Sequence, residues 1–481
     1  MISGSGALQF AGGGYGMSGF HSLFGRFNYD FKNKYFVQAS VRRDGQSSLA
    51  PDNRFGVFPG ASVGYRLSEE GFWKNNEFLS KTFSDVKLKG SYAVVGNQLG
   101  GFPFLSTFGS AAYGNIPGLA PNLVGNSALQ WERSKKLDVG IELGLFNNRF
   151  NFVADWFLND IDQLVFGVPT PNSAGIPGNS ISQNVGTARN SGLEFVLSGD
   201  IIRGKNFSWG FNANFTTLEN KITSLYSVGG VPVTTIPGTY NRIEAGQSLN
   251  YIWGWPYAGV NTQTGNPMYR KANGTLVQRN AATGQYFTAA DKNDGNMTTA
   301  NPLTDADRVN LGNSLPTYFG ALTNNFRYKN FSVEFMIRFQ GGNMIMNQTR
   351  QEALLSQNFH NNGVEILNRW KAPGDITDVP RLRFGQSAII NQTGAAISRF
   401  VERGDFVRLQ NLVFSYNFSN QTLSKLTNGY IKNARVFAQG QNLFMLTSYS
   451  GIDPDNASQS GIDNAVSPTL RILSMGLSVG F

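Results

Sequence analysis

The residue types that most often carry catalysis or bind metals are scarce in this chain of 481 residues. It contains two histidines, His21 and His360, and no cysteine, which excludes thiol nucleophiles, disulfide scaffolds and histidine- or cysteine-rich zinc motifs. The glycine-rich stretch from Gly12 to Gly16 lacks the Gly-Lys-Ser/Thr ending of a phosphate-binding loop. The side-chain inventory therefore gives little support to catalysis.

Two groups of carboxylates allow a chemical interpretation. Asp160 and Asp162 share one face of a strand, a spacing that a glycosidase pair could use, although a solvated strand end is the alternative. Asp291, Asn293 and Asp294 resemble the start of a calcium loop, but glycine follows one position too early for an EF-hand. We predict no catalytic residue, no metal ion, no cofactor and no enzyme activity.

Aromatic residues offer a second kind of chemistry, which is ligand contact. Tyr251, Trp253, Trp255 and Tyr257 alternate along one segment, interrupted by a glycine and a proline. Aromatic faces stack on sugars and pack against peptides, so these four residues are candidate substrate contacts. An aromatic belt at the end of a membrane strand is the alternative.

The composition limits which elements can position these residues. Aromatic residues make up 13% of the chain and charged residues 15%, against about 25% charged residues in an ordinary soluble domain. Mean hydropathy is nevertheless −0.23, and the longest apolar run has four residues, so a membrane helix of about 20 apolar residues is excluded. The net charge of +9 is scattered, and we predict no nucleic-acid partner.

Apolar residues recur with a period of two. From Leu137 to Leu145 the odd positions are apolar, and 207–215 and 331–339 show the same alternation. Such segments are strands with one apolar and one polar face. The pattern returns, less cleanly, in 20–31, 34–45, 55–66, 84–95, 149–163, 187–201, 404–418 and 433–447.

These strands favour a membrane barrel. They run for about 11 to 15 residues, whereas globular strands have about five or six and membrane-crossing strands about 9 to 11. We predict an all-β fold, an antiparallel transmembrane β-barrel whose polar faces line a wet lumen. A soluble sandwich or propeller is the alternative.

The last strand, 469–481, ends on an aromatic residue. Leu473, Met475 and Leu477 alternate with small polar residues up to Phe481. A terminal aromatic closing such a strand resembles the signal read by outer-membrane assembly machinery. Phe481 is therefore the predicted assembly signal, and an edge strand at the end of the chain is the alternative.

The connections predict a direction for each strand. Tight turns at 32–33, 147–148, 203–206 and 329–330 mark the periplasmic end, and 19–481 forms the barrel. Segment 248–260 either belongs to a loop, giving thirteen strands, or crosses the membrane with a hidden partner, giving fifteen. Both counts are odd, whereas bacterial barrels formed by a single chain close with an even number of strands. We therefore expect further strands, and the signal peptide, upstream of Met1. The predicted extracellular loops are a Gly-rich remnant at 1–18 and segments 96–129, 164–186, 219–247, 261–315, 343–403 and 448–468.

Several segments resemble SusC/RagA-type TonB-dependent transporters. One is VRRDGQSSLAPDNRFGVFPGASVGYRLSEEGFW at 41–73, and another is QNLFMLTSYSGIDPD at 441–455. Further likenesses lie at 87–98, 131–150, 184–195, 316–335, 367–382 and 404–416, in family order. They cover most of the chain.

The resemblance implies a function. The family forms 22-stranded, plugged outer-membrane import channels of Bacteroidota, and this chain would supply the C-terminal 13 or 15 strands. Implied partners are a SusD-like surface lipoprotein, the TonB complex acting through the missing N-terminal part, outer-membrane lipid, and oligosaccharide or peptide cargo. The plug is absent from the chain, so a passive porin is an alternative, and a secreted soluble carbohydrate-binding β-protein is the alternative of a different class.

Overall fold

The computed structural model describes residues 17–113, 116–228, 231–359 and 361–481. The predicted loop remnant at 1–18 lies outside these ranges except for its last two residues, and His360 also lies outside them. Within the described ranges, no helix is both long and apolar enough to cross a membrane.

Among the described residues, one antiparallel sheet of fourteen strands forms a wall, and thirteen of its strands follow one another in chain order. The fourteenth, Glu219–Ser224, pairs beside this path with the long strand Ser180–Arg203. The wall strands are β1 Phe20–Phe31, β2 Tyr35–Gln46, β3 Phe55–Arg66, β4 Phe83–Asn97, β5 Glu132–Leu145, β6 Phe150–Pro169, β7 Ser180–Arg203, β8 Phe207–Thr217, β9 Tyr318–Tyr328, β10 Phe331–Gly341, β11 Phe406–Asn417, β12 Asn433–Thr447 and β13 Ile472–Gly480.

Of the two strand counts that the sequence allowed, thirteen is the one observed. Segment 248–260 does not join the wall. It forms two short strands, Tyr251–Trp255 and Tyr257–Val260, which belong to different small sheets. Pro256 separates them, and because proline has no N–H to donate, it interrupts a ladder that would otherwise run through both. β1 and β13 run in the same direction, as the odd count requires.

The two faces of the wall differ as the alternation predicts. On β13, Leu473, Met475 and Leu477 are 79%, 87% and 66% exposed. Each such side chain gains about 1.5–3 kcal/mol of transfer free energy when it leaves water for an apolar environment. This face is therefore suited to contact with lipid. The opposite face carries charges, and there Lys89 contacts Asp155 at 2.9 Å.

The turns at one end of the wall are as tight as predicted. Lys32 and Asn33 both have positive φ, +58° and +54°, and the Lys34 amide donates to the Phe31 carbonyl at 3.0 Å. Two consecutive positive φ angles define the type I′ turn, whose twist matches that of paired strands. Asn147 and Asn148 also have positive φ. We call this the short-turn end and the opposite edge the long-loop end.

An aromatic belt runs along the short-turn end. Phe31 stacks on Tyr35 at 6.5 Å between ring centroids, and Tyr35 stacks on Tyr65 at 5.2 Å. The Tyr65 hydroxyl donates to Glu70 at 3.0 Å, so the belt has an apolar body and a polar edge. This is the arrangement that an aromatic side chain adopts at a membrane interface.

One predicted loop is shorter than expected. Segment 164–186 was expected to be irregular, but β6 runs to Pro169 and β7 starts at Ser180. Gln163 has φ of +58°, and the register shifts around it. A bulge of this kind breaks the period of two, which is why the continuing hairpin is not visible as alternation.

The other long connections fold into short elements at the long-loop end. Strands Thr107–Tyr113 and Ile116–Leu123 pair with each other, and the other described connections contribute three small sheets and one two-stranded ladder. The short strands are Thr107–Tyr113, Ile116–Leu123, Ser227–Val228, Val231–Pro232, Thr235–Pro237, Asn241–Glu244, Tyr251–Trp255, Tyr257–Val260, Pro267–Arg270, Leu276–Arg279, Tyr286–Ala289, Val309–Gly312, Met344–Asn347, Ala396–Ile397, Val401–Arg403 and Ile462–Asp463.

Helices are few and short among the described residues. The α-helices are Gly71–Lys74, Glu77–Thr82, Ser387–Ile390 and Asn420–Thr427, and Thr349–Leu354 is a π-helix. The 3₁₀-helices are Pro51–Asn53, Leu67–Glu69, Asn172–Ala174, Pro177–Asn179, Asp305–Asp307, Val364–Asn368, Ser398–Phe400 and Pro454–Asn456.

Candidate functional site

The described residues of 218–317, 342–405 and 448–471 pack together over the long-loop end, and we call them the loop assembly. Its core is apolar and contains Tyr269, Met346 and Phe400, each with 0% exposure. These three residues come from different parts of the chain. Loops with a shared core can hold side chains in fixed positions, which a binding site requires.

The four predicted aromatic contacts lie in this assembly. Tyr251 and Trp255 are buried, at 1% and 7% exposure, whereas Trp253 and Tyr257 are half-buried. Trp255 Nε1 donates to the Thr304 carbonyl at 2.7 Å, and the Tyr257 hydroxyl donates to the Asp378 carbonyl at 2.8 Å.

Two arginines cover the tryptophan rings of this group. The guanidinium carbon of Arg308 lies 4.0 Å from the Trp255 ring centroid, and that of Arg242 lies 4.5 Å from Trp253. Ring faces held in this way are already occupied by protein. A role of the four aromatic residues in substrate binding stays a prediction.

A network of charges ties the 343–403 loop together. Arg350 contacts Glu365 at 2.7 Å and Glu402 at 3.1 Å, and Arg399 contacts Glu365 at 2.7 Å. The Arg399 side chain is 3% exposed and also approaches the exposed Asp378 at 3.7 Å. Burial alone would raise the pKa of Glu365, but the two arginines hold that pKa below its ordinary value.

This network predicts acid sensitivity of the loop. Because the pKa of Glu365 is lower in the folded protein than in the unfolded chain, its stabilising contribution is present above about pH 4.5 and is lost as pH falls through the folded-state pKa. The amide protection factors in 344–402, which are corrected for the intrinsic pH dependence of exchange, should therefore fall as pH drops below about 4.5. Glu365→Gln should remove most of this pH dependence, and protection factors that stay constant with pH in the parent protein would contradict the prediction.

A second set of charges fixes the last loop against the inner wall. Arg408 contacts Asp453 at 2.5 Å, with side-chain exposures of 3% and 5%. Arg338, its cross-strand neighbour, binds both oxygens of Asp455 at 2.7 and 3.0 Å. Two neighbouring wall strands thus hold one loop turn by ion pairs on the lumen side.

A groove of about 450 Å³ opens between the last loop and the 343–403 loop. Four aliphatic side chains form much of its surface, and Arg350 and Glu365 of the charge network are also at its edge. We call it the apolar groove. Its aliphatic residues are Leu354, Val364, Ile452 and Val466.

The carboxylates considered from the sequence have structural partners. Arg189 binds both oxygens of Asp160 at 2.6 and 2.9 Å, and Lys135 pairs with Asp162. In the calcium-like segment, Asp294 accepts the amides of Ala290 and Asn296 at 2.9 and 3.0 Å, which lower its pKa. No group of three or more potential metal ligands occurs among the residues that the structure describes.

Two segments match the Gly-x-Ser-x-Gly spacing of serine hydrolases, at 60–64 and 476–480. Both lie within wall strands, β3 and β13. A hydrolase serine requires a sharp turn from a strand into a helix, so neither segment has the geometry of a nucleophile.

Sequence reasoning missed the ion pairs of the loop assembly. Arg338 and Arg408 place a positive charge on the polar faces of β10 and β11, and this was the available signal. Their partners lie 117 and 45 residues away in sequence. No spacing rule connects residues so far apart.

Comparison with known proteins identifies the family. The family model described as "TonB dependent receptor-like, beta-barrel" matches residues 9–293, which is more than half of the chain. The chain belongs to this family. As a TonB-dependent receptor barrel it is an outer-membrane chain, and SusC and RagAB are among the proteins that it is similar to.

The relatives of this receptor chain are longer than the chain itself. TonB-dependent receptor P3 of Formosa agariphila is 30% identical over 96% of this chain and 45% of its own length. TonB-dependent receptor SusC of Bacteroides thetaiotaomicron is 26% identical over 96% of this chain and 43% of its own length. The chain therefore spans about half the length of the curated relatives that it matches.

A solved structure supports the fold. The structure of the RagAB peptide transporter superposes with a TM-score of 0.78 and 24% identity over 96% of this chain and 48% of its own. At that identity the likeness concerns architecture. It agrees with a partial wall of an antiparallel barrel.

Proposed function

We propose that this chain forms part of the wall and mouth of a TonB-dependent channel that imports oligosaccharides or peptides across the outer membrane. The observation that carries the proposal is a continuous thirteen-strand sheet with a lipid-facing outer side, a charged inner side and an ordered loop assembly at one end. Predicted loops 96–129, 164–186, 219–247, 261–315, 343–403 and 448–468 would face the cell exterior, together with the segment 1–18.

The mechanism requires no reaction on the cargo, and the chain is accordingly proposed not to be an enzyme. The loop assembly would capture cargo with a SusD-like surface lipoprotein as a lid. TonB, acting on a plug supplied by another part of the receptor, would then open the polar lumen. The names of the curated relatives, all receptors, support this proposal, and the likeness to RagAB, a peptide transporter, supports peptide as one of the two cargo classes.

The alternatives differ in what drives solute movement and in where the protein resides. A passive porin would admit cargo without energy. A soluble carbohydrate-binding protein is disfavoured by the exposed apolar side of the wall, which would aggregate in water.

Energy dependence is the decisive measurement. Cells with and without the gene for the receptor would be given labelled oligosaccharides and peptides, with and without a protonophore. The proposal expects uptake that needs both the receptor and the proton gradient. Receptor-dependent uptake that survives the protonophore would support the porin, and a folded receptor that stays in solution without detergent would support the soluble protein.

Phe481 is proposed as an assembly signal. It is 81% exposed and follows β13 directly, so it is free to be read by another protein. Phe481→Ala should lower the amount of heat-modifiable, folded receptor in the membrane several-fold. Leu426→Ala, which removes another highly exposed side chain, is the matched control and should have no effect. Equal membrane levels of both variants would refute this role.

A further inference from the structure

The apolar groove contains a buried carboxylate that forms no ion pair with any residue that the structure describes. Asp463 is 8% exposed and lines the groove. Its oxygens accept hydrogen bonds from the Tyr449 hydroxyl at 2.6 Å and the Thr349 hydroxyl at 3.3 Å, both neutral donors. Within the described parts of the chain, no lysine or arginine forms an ion pair with it. A buried carboxylate without a cation is unusual, because charges are normally paired when they leave water.

The charge balance around the groove is negative. In the network beside it the carboxylates of Glu365 and Glu402 offset the two arginines, Arg350 and Arg399, and Arg399 also approaches the exposed Asp378. Asp463 therefore adds one uncompensated negative charge. The raised pKa of Tyr449, caused first by burial and then by Asp463, agrees with a carboxylate in a poorly hydrated place.

The remaining surface of the groove is aliphatic and open. Leu354, Val364, Ile452 and Val466 are 46%, 80%, 68% and 41% exposed, which is much apolar area for one concave site. Among its described lining residues none is aromatic. Aromatic faces are what neutral sugars stack on, so this surface suits an aliphatic group better than a sugar ring.

The polar groups at the floor are already engaged. The Asn347 amide donates to Glu402 at 3.3 Å and to Ser450 at 3.2 Å, and the Ser450 hydroxyl donates to Glu402 at 2.7 Å. A sugar would find few free hydrogen-bonding partners here. A ligand with a cation beside an aliphatic group would match both the Asp463 carboxylate and the aliphatic surface of the groove.

We propose that the apolar groove binds the amino-terminal end of a peptide. The ammonium group would lie beside the Asp463 carboxylate, and an aliphatic side chain would pack on the four aliphatic residues. This inference rests on the proposed function, because it selects peptide from the two cargo classes and gives its site at the mouth of the channel.

Calorimetry on the detergent-extracted receptor tests the proposal with three probes. Tri-leucine should bind, N-acetylated tri-leucine should bind about tenfold more weakly because it lacks the charge, and maltotriose should not compete. Asp463→Asn should weaken tri-leucine binding to the level of the acetylated probe. Ile452→Ser should weaken both peptides about tenfold, since it removes apolar contact and keeps the charge.

The control and the contrary results are specific. Ile376→Ser alters an aliphatic residue that is 93% exposed and does not line the groove, and it should leave binding unchanged. Equal binding of free and acetylated tri-leucine, competition by maltotriose, or absence of tri-leucine binding would each overturn the inference. Energised uptake of oligosaccharide alone, with no tri-leucine binding, would overturn this inference and leave the proposed function standing.

Discussion

Replacing Arg408 by methionine is expected to release the last loop from the inner wall. The substitution leaves Asp453 as a buried carboxylate with two backbone N–H donors, from Asp455 and Thr469, and no direct cation. Removing one partner of a buried ion pair costs about 3–5 kcal/mol, and the two remaining donors place this case near 3 kcal/mol. Amide exchange in 451–463 should accelerate about a hundredfold.

A double variant and a surface control make this result interpretable. Arg408→Met combined with Asp453→Leu removes both charges and should recover most of the lost protection, since an apolar pair needs no compensation. Glu77→Gln breaks the exposed pair with Lys81 and should change stability by less than about 0.5 kcal/mol. If Arg408→Met left exchange in the last loop unchanged, the ion pair would not be what holds it.

Placing arginine on the outer side of the wall should prevent stable insertion. Val63 is the ninth of the twelve residues of β3, two residues before Tyr65 of the aromatic belt, and is 60% exposed on the apolar face. A charge on the lipid face of a barrel costs about 2–4 kcal/mol at the middle of the bilayer and about 0–1 kcal/mol near its interfaces, so an intermediate cost is expected at Val63. Val63→Arg should therefore lower the urea midpoint for unfolding from lipid and reduce the fraction of heat-modifiable receptor.

The neighbouring position provides the matched control. Ser62 precedes Val63 and points to the opposite side, where an arginine stays hydrated in the lumen. Ser62→Arg should cost less than about 1 kcal/mol in the same assay. Equal damage from both substitutions would mean that β3 does not separate lipid from lumen as described.

The wall was largely predictable because its physics is local. In a strand between lipid and water, apolar and polar side chains must alternate, so the sequence of each strand shows which residues face which side. The observed ends of β1, β3 and β12 are the predicted ones. Tight-turn residues such as Lys32 and Asn33 indicated which end of each strand is periplasmic, and so the direction in which the strand runs. The prediction was wrong where a single residue, Gln163, shifted the period and hid the continuation of β6 and β7.

The loop assembly was not predictable in the same way. Its strands have two to six residues, too few to show a period, and several pair across long separations. Tyr251 was identified as a candidate contact, yet only packing reveals that it is buried. The sequence by itself therefore determined a membrane-facing antiparallel wall with an odd number of strands, since alternation and turn chemistry are local properties. Only the tertiary structure decided that thirteen strands follow one another among the described residues, that Arg408 meets Asp453, and that Asp463 lies in an aliphatic groove without an ion-pair partner in the described part of the chain. Those contacts depend on long-range closure of loops, which leaves no periodic trace in the chain.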